Sequence, residues 1–290
     1  MTTRRKIIFS ILGILILAIA ITAWLFLRTT IVADTTRSGV YFGNQIWSGD
    51  ILVTGDVMVL GNLTVREGTR VRFAVGDDRG WGDEVPADGY NDHDPTRLLS
   101  YGKTHSLLFI LRRFIAIGTA ERPITFTSAA EHPTYADWEA IIFEGNGSIV
   151  DHAVVEYSRN GLNPIGDQRK SVIRDSIVRH TLWGAISSSH STIPVIHNHL
   201  YDCGHEGIDV QSDQVIRDNR IEDCHAGIVV LKGSPTIERN TMKGVSDGIG
   251  VDPEATPKMS DNTITLADPS ADHPYTYQNF SYHLFGDPTW

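Results

Sequence analysis

A repeat of about 22 residues governs what this chain can fold into. From Ser171 the sequence reads "SVIRDSIVRHTLWGAIS", "PVIHNHLYDCGHEGIDV", "QVIRDNRIEDCHAGIVV", "PTIERNTMKGVSDGIGV" and "PKMSDNTITL". The glycines Gly161, Gly184, Gly207, Gly227 and Gly248 are spaced by 23, 23, 20 and 21 residues. The small polar residues Asp175, Asn198, Asn219, Asn240 and Asn262 are spaced by 23, 21, 21 and 22. Two independent markers therefore share one period. A unit this short, rich in β-branched residues and cut by glycine, cannot bury a face alone, but stacked on copies of itself it can. Its apolar residues alternate with polar ones, as in strands. Helical solenoids need repeats of about 33 residues or more and favour Ala, Leu and Glu, so they are excluded. Successive turns place strands parallel in one sheet with right-handed crossovers. The reading is an all-β, right-handed parallel β-helix. One inward column is expected from Ile173, Ile196, Ile216 and Ile237, and another from Ile208, Ile228 and Ile249.

The earlier half follows the same logic less regularly. "IWSGDILVTGDVMVLGNLTVREGTRVRF" alternates Ile51/Val53, Val57/Val59, Leu63/Val65 and Val71/Phe73 across glycine turns, and Ile124 and Phe126 follow Gly118-Thr119. The succession "WSGDILVTGDV", "LTVREGTRVRF", "RPITFTS", "WEAIIF" and the later Asn/Gly repeats resembles proteins of the right-handed parallel β-helix, pectate-lyase-like superfamily. The resemblance covers roughly residues 44–266. It implies the architecture; the superfamily includes lyases, hydrolases, epimerases, adhesins and inert scaffolds, so fold alone does not decide function.

The amino end reads "MTTRRKIIFSILGILILAIAITAWLFLRTT". Ile7 to Leu27 carries no charge, and at ~1.5 Å per residue it matches the roughly 30 Å hydrocarbon core of a bilayer. It is longer than the usual apolar region of a cleaved signal peptide, about 7 to 15 residues. Arg4, Arg5 and Lys6 precede it and only Arg28 closely follows, which orients the N-terminus toward the cytoplasm. The expected layout is a cytoplasmic segment 1–6, a transmembrane signal anchor 7–27, a linker 28–43, a β-helix 44–266 with an acidic insertion 76–97, and an aromatic cap 267–290. The solenoid then lies outside the cytoplasm. Of the 25 basic and 35 acidic residues, five basic and one acidic precede Ser38, leaving the body at −14. A body so acidic repels phosphate backbones, and nucleic acid is not among the expected partners.

Four residues on consecutive coils, His205, Glu206, Asp209 and His225, are the candidates for acid–base chemistry, expected to point outward. "GHEGIDV" resembles a fragment of the galacturonase-type hydrolase signature, but no Asn-Thr-Asp or Arg-Ile-Lys element accompanies it, and the repeats from Ser171 on hold no Asp-Asp pair. A lyase would need a basic column, for which Arg174, His197 and Arg217 are available, interrupted by Glu238. His197-x-His199 is a loose metal pattern. Cys203 and Cys224, each five residues after its asparagine, occupy equivalent rungs and read as buried thiols, a disulfide being the alternative. In the insertion, Asp77, Asp78, Asp83, Asp88, Asp92 and Asp94 on a glycine-rich loop suit calcium, a hard cation that takes six to eight oxygen ligands. Gly204 is one extra residue before the glycine marker, so a bulge is expected beside His205.

These features point first to a membrane-anchored, extracytoplasmic module that recognises glycan or scaffolds an envelope protein without catalysis. The alternative is a polysaccharide-active lyase, hydrolase or epimerase.

Overall fold

The computed structural model describes residues 3–75, 105–188 and 190–268. The acidic insertion with its calcium candidates, and all but the start of the aromatic tail, lie outside the described residues. What is described is one parallel solenoid. From Leu63 on, the coils are built of three short strands, and within the stack each strand pairs in parallel with its equivalents one coil below and one above. Three faces result. In the regular coils the first face stacks Val172–Arg174, Val195–Ile196, Val215–Arg217 and Thr236–Glu238. The second stacks Ile177–Thr181, His199–Cys203, Arg220–Glu222 and Thr241–Val245. The third stacks Ile186–Ser188, Glu206–Val210, Ala226–Val230 and Asp247–Val251.

The alternation read from sequence sets which side chains fill the interior. Ile51, Val53, Val57, Val59, Leu63, Val71, Phe73, Ile124 and Phe126 are all fully buried. Ile186, Ile208, Ile228 and Ile249 stack in register, as expected for the third face. The first-face column differs by one residue: Ile173 pairs with Val195, which pairs with Ile216. Ile196 instead follows Arg174 and precedes Arg217 on the outward side, so His197 does not belong to the basic column. The shift arises because "PVIHN" offers two adjacent β-branched residues, and only stacking decides which faces inward.

The corner between the first and second faces is a hydrogen-bonded ladder. Asn198 Nδ2 donates to Asn219 Oδ1 at 3.0 Å, Asn219 Nδ2 to Asn240 Oδ1 at 3.0 Å, and Asn240 Nδ2 to Asn262 Oδ1 at 3.0 Å. Each Oδ1 also accepts the backbone N–H of the asparagine below. These contacts satisfy polar groups that a tight turn would otherwise leave orphaned inside the core. At the lower end Ser176, not Asp175, occupies the ladder position, its N–H donating to Asn198 Oδ1 at 3.1 Å. Asp175 sits one residue earlier with φ 48°, in line with His197, Asp218, Arg239 and Asp261, which also have positive φ. That backbone is strained for non-glycine residues and is held here by the ladder beside it.

The stretch expected as a linker is structured. Thr29–Tyr41 forms the first coil, paired in parallel with Asn44–Val59. It follows directly on the helix Thr3–Leu27, and Asn44 N donates to Arg28 O at 2.8 Å. Among the described residues, whose helical side chains begin at Ser10, no helix is long and apolar enough to cross a membrane. The expected span 7–27 therefore rests on its sequence. At the other end Met259, Ile264 and Leu266 of the last coil are exposed.

Candidate functional site

The site forms where the chain turns from the second face to the third. Thr181 pairs with Cys203, and Ile186 with Ile208, so these two coils each take five steps between faces. By the registers Glu156 to Arg179 and Tyr201 to Glu222, the neighbouring coils turn from Ser158 to Leu162 and from Cys224 to Ile228 in four. The extra residue is thus shared by two consecutive coils, Leu182 in one and Gly204 in the next. Stacking carries the bulge upward: Trp183 lies on His205 with ring centroids 5.6 Å apart and planes 19° apart.

The four sequence candidates come together here, though not all outward. His205 Nδ1 hydrogen-bonds the Glu206 carboxylate. Burial works against a charged His205 imidazole, but the Glu206 carboxylate, by charge and hydrogen bond, more than offsets it and raises the pKa. Glu206 and His225, expected at the surface, are buried at 6% and 5% exposure. The reason for Glu206 is Gly184 below it: a Cβ there would lie 2.7 Å from both Glu206 Oε1 and Ser187 Oγ. Any Cβ at this position would push that carboxylate and the Ser187 hydroxyl aside. Asp209 stacks over Ser187 on the outward side of the third face. Burial, reinforced by the Glu206 charge, pushes its carboxyl up to about 7, against the opposing Gln211 amide and His205. Asp209 Oδ1 is buried with no hydrogen-bond partner. The same holds for both ring nitrogens of His225, whose ring centroid is 5.9 Å from that of His205. Burial, followed by the His205 charge, lowers the His225 pKa.

Several members were not legible as candidates. Arg159 places its guanidinium 5.2 Å from the Trp183 ring centroid and pairs with Glu139 Oε1 at 3.0 Å. Burial raises the Glu139 carboxyl, with Arg159 opposing. Beside this lies a second group, built on residues with positive φ: Tyr157 at 64°, His180 at 52° and Asp202 at 54°. The His180 ring stacks on Tyr157 at 5.0 Å and 18°, and its Nδ1 bonds Asp202 Oδ2 at 2.6 Å. Tyr135, from the segment that leaves the coil after Ile124–Ser128, donates its hydroxyl to the same carboxylate. Arg179 donates to Glu156 Oε2 at 2.7 Å and to Tyr201 Oη at 2.6 Å. Buried Ala136 and Leu182, with Tyr135 and Trp183 packed on them, join the two groups. The sequence signal that marks Trp183 is turn length: its coil takes five steps from Thr181 to Ile186 where the coil below takes four.

Other candidates separate. His197 has positive φ and lies 3.4 Å from Asp218 Oδ2, whereas His199 Nε2 bonds Glu222 Oε2 at 2.7 Å, so the two histidines do not share a ligand. Among the described residues no group of three His, Cys, Asp or Glu side chains is arranged to hold a metal ion. Cys203 and Cys224 are free, buried thiols, and burial raises the Cys224 pKa.

Residues 139–277 match the protein-family model described as a right handed beta helix region. The chain is a right-handed parallel β-helix. No curated protein matches this β-helix. A solved structure titled "Crystal Structure of the periplasmic alginate epimerase AlgG" aligns with 82% of the chain and 76% of its own, at 12% identity and a TM-score of 0.39.

Proposed function

We propose that this β-helix is a glycan-recognition module held at the outer face of the cytoplasmic membrane by its N-terminal helix. The observation that carries the recognition reading is the pair of ring stacks on neighbouring coils of one corner, Tyr157 on His180 and Trp183 on His205. Sugar rings present apolar C–H faces and polar rims. A half-buried aromatic body ringed by Arg179, Asp202, Arg159 and Asp209 offers a match for both. Neutral glycans suit the site better than acidic ones, because the body carries −14 and several of its carboxylates lie at this corner.

The anchor reading is supported by the chemistry of the helix. Ile11, Leu12, Ile14, Leu15, Ile16, Leu17, Ile19 and Ile21 are exposed around it, and a helix apolar on every side needs an apolar surround. Trp24, with the Arg28 guanidinium 5.4 Å from its ring centroid, makes the aromatic–basic girdle favoured at a bilayer surface. A glycan array and a polysaccharide pull-down with the detergent-solubilised chain test the recognition reading. Retention of a neutral glycan supports it, and failure of every glycan to bind overturns it.

A further inference from the structure

The corner contains more than a binding surface needs. Recognition of a neutral sugar calls for rings and exposed polar edges, not for a carboxyl, a carboxylate and two imidazoles drawn into the wall of the solenoid. Burying such groups is costly unless they are paired, and here several atoms are not. Both nitrogens of His225 lack a partner although its side chain is only 4% exposed, and Asp247 Oδ2 stands 3.9 Å from Nε2. Asp209 Oδ1 is unpartnered as well. The fold makes specific provision for the cluster: one added residue in each of two coils, and a glycine under Glu206 where a Cβ would crowd the carboxylate as it now lies. Unsatisfied, titratable groups gathered at a bulge beside an aromatic platform are the arrangement expected of a reacting site.

We propose that Asp209 and Glu206 hydrolyse a glycosidic bond of a neutral polysaccharide bound against Trp183, with His205 and His225 as positioning residues. The proposal rests on the glycan-recognition reading. Asp209, in its acid form, gives its proton to the glycosidic oxygen as the bond from that oxygen to the anomeric carbon breaks. A water oxygen bonds to the anomeric carbon and passes a proton to the Glu206 carboxylate. The products are two shorter chains, one with a new reducing end, and solvent returns the proton from Glu206 to Asp209. No oxidant, metal or cofactor enters the balance. The hydrogen bond from His205 fixes the Glu206 carboxylate over Gly184, and the His225 ring, buried beside His205, limits where that imidazole can turn.

The test uses the full chain in detergent micelles with cello-, xylo-, manno- and chito-oligosaccharides, measuring affinity by calorimetry and cleavage by new reducing ends. The expected result is cleavage of at least one bound oligosaccharide, lowered about 100-fold or more by Asp209→Asn and by Glu206→Gln, the span typical of removing an acid or base. Glu206→Gln, isosteric and outside the polar rim, should leave affinity within about threefold. His205→Gln should lower the rate less and change the pH profile of cleavage, which loss of packing alone would not do. Binding without cleavage, or undiminished cleavage by Asp209→Asn, overturns the catalytic proposal and leaves recognition standing. Absence of binding overturns both.

Discussion

Removing Asn219 should damage the fold more than any exposed substitution of similar size. Its Oδ1 accepts Asn198 N at 2.9 Å and Asn198 Nδ2 at 3.0 Å, and its Nδ2 donates to Val195 O at 2.9 Å and Asn240 Oδ1 at 3.0 Å. All four partners lie inside the wall, and Asn219 is 2% exposed. At a net ~0.5–1.5 kcal/mol per hydrogen bond, Asn219→Ala should cost roughly 2–6 kcal/mol. The upper half of that range applies if water cannot reach the orphaned Asn198 N–H and Val195 carbonyl. Asn262 makes the same type of contact in the last coil but is partly exposed, so Asn262→Ala should cost about half as much or less. Urea unfolding of the full chain in micelles, followed by far-UV circular dichroism, reads the difference as a shift in midpoint. Because each coil contacts only its neighbours, the Asn219 variant should also unfold less cooperatively. Equal midpoints for wild type and Asn219→Ala would falsify the stabilising role of the ladder.

Four further outcomes follow from the geometry. The Asp209 carboxyl is raised to about 7 from 3.8, so between those values the folded state holds a proton that the unfolded state has released, and stability falls as pH rises across that window. Asp209→Asn should remove this dependence and gain on wild type by on the order of 4 kcal/mol between pH 4 and pH 8; parallel urea curves at both pH values would refute it. Gly184→Ala should push the Glu206 carboxylate and the Ser187 hydroxyl aside, and because both are movable side-chain ends the melting temperature should fall by only about a degree or two; a loss of about ten degrees in differential scanning calorimetry would contradict it. Cys203→Ser should fold with a modest loss, and treatment of wild type with reductant should leave its melting unchanged because both thiols are free. Deleting residues 1–27 should move the protein from the carbonate-resistant membrane pellet to the supernatant, and recovery of the full chain in the supernatant would count against the anchor.

How legible these features are in the amino-acid sequence depends on what decides them. The solenoid is legible because its signal repeats: Ile208, Ile228 and Ile249 recur at one period, and stacking copies is the only way to bury them. Register within a coil is less so. Val195 and Ile196 are both good inward residues, and the choice between them is made by the coils above and below. The same off-by-one placed Asp175 in the ladder, where the hydroxyl-bearing Ser176 belongs, because acid and asparagine look alike in a pattern but only a neutral group fits that buried turn. At the site, His205, Glu206, Asp209 and His225 were visible as a local knot of polar residues. Trp183, Arg159 and Glu139 were not, since each lies one or more coils away and reaches the knot only through stacking. Tyr135 is farther still in sequence, 67 residues from Asp202. Burial of Glu206 was hidden for a different reason: it depends on the missing side chain of Gly184, and a pattern of residue types does not record empty space.

Glycan binding at this corner is tested most directly by titrating one array-positive neutral oligosaccharide into wild type, Trp183→Ala and a control on a different corner, His152→Ala. Loss of an aromatic anchor of this kind is worth about 2 kcal/mol or more, roughly 30-fold in affinity. That loss is predicted for Trp183→Ala, with an unchanged constant for His152→Ala. Equal affinities in all three proteins would contradict it.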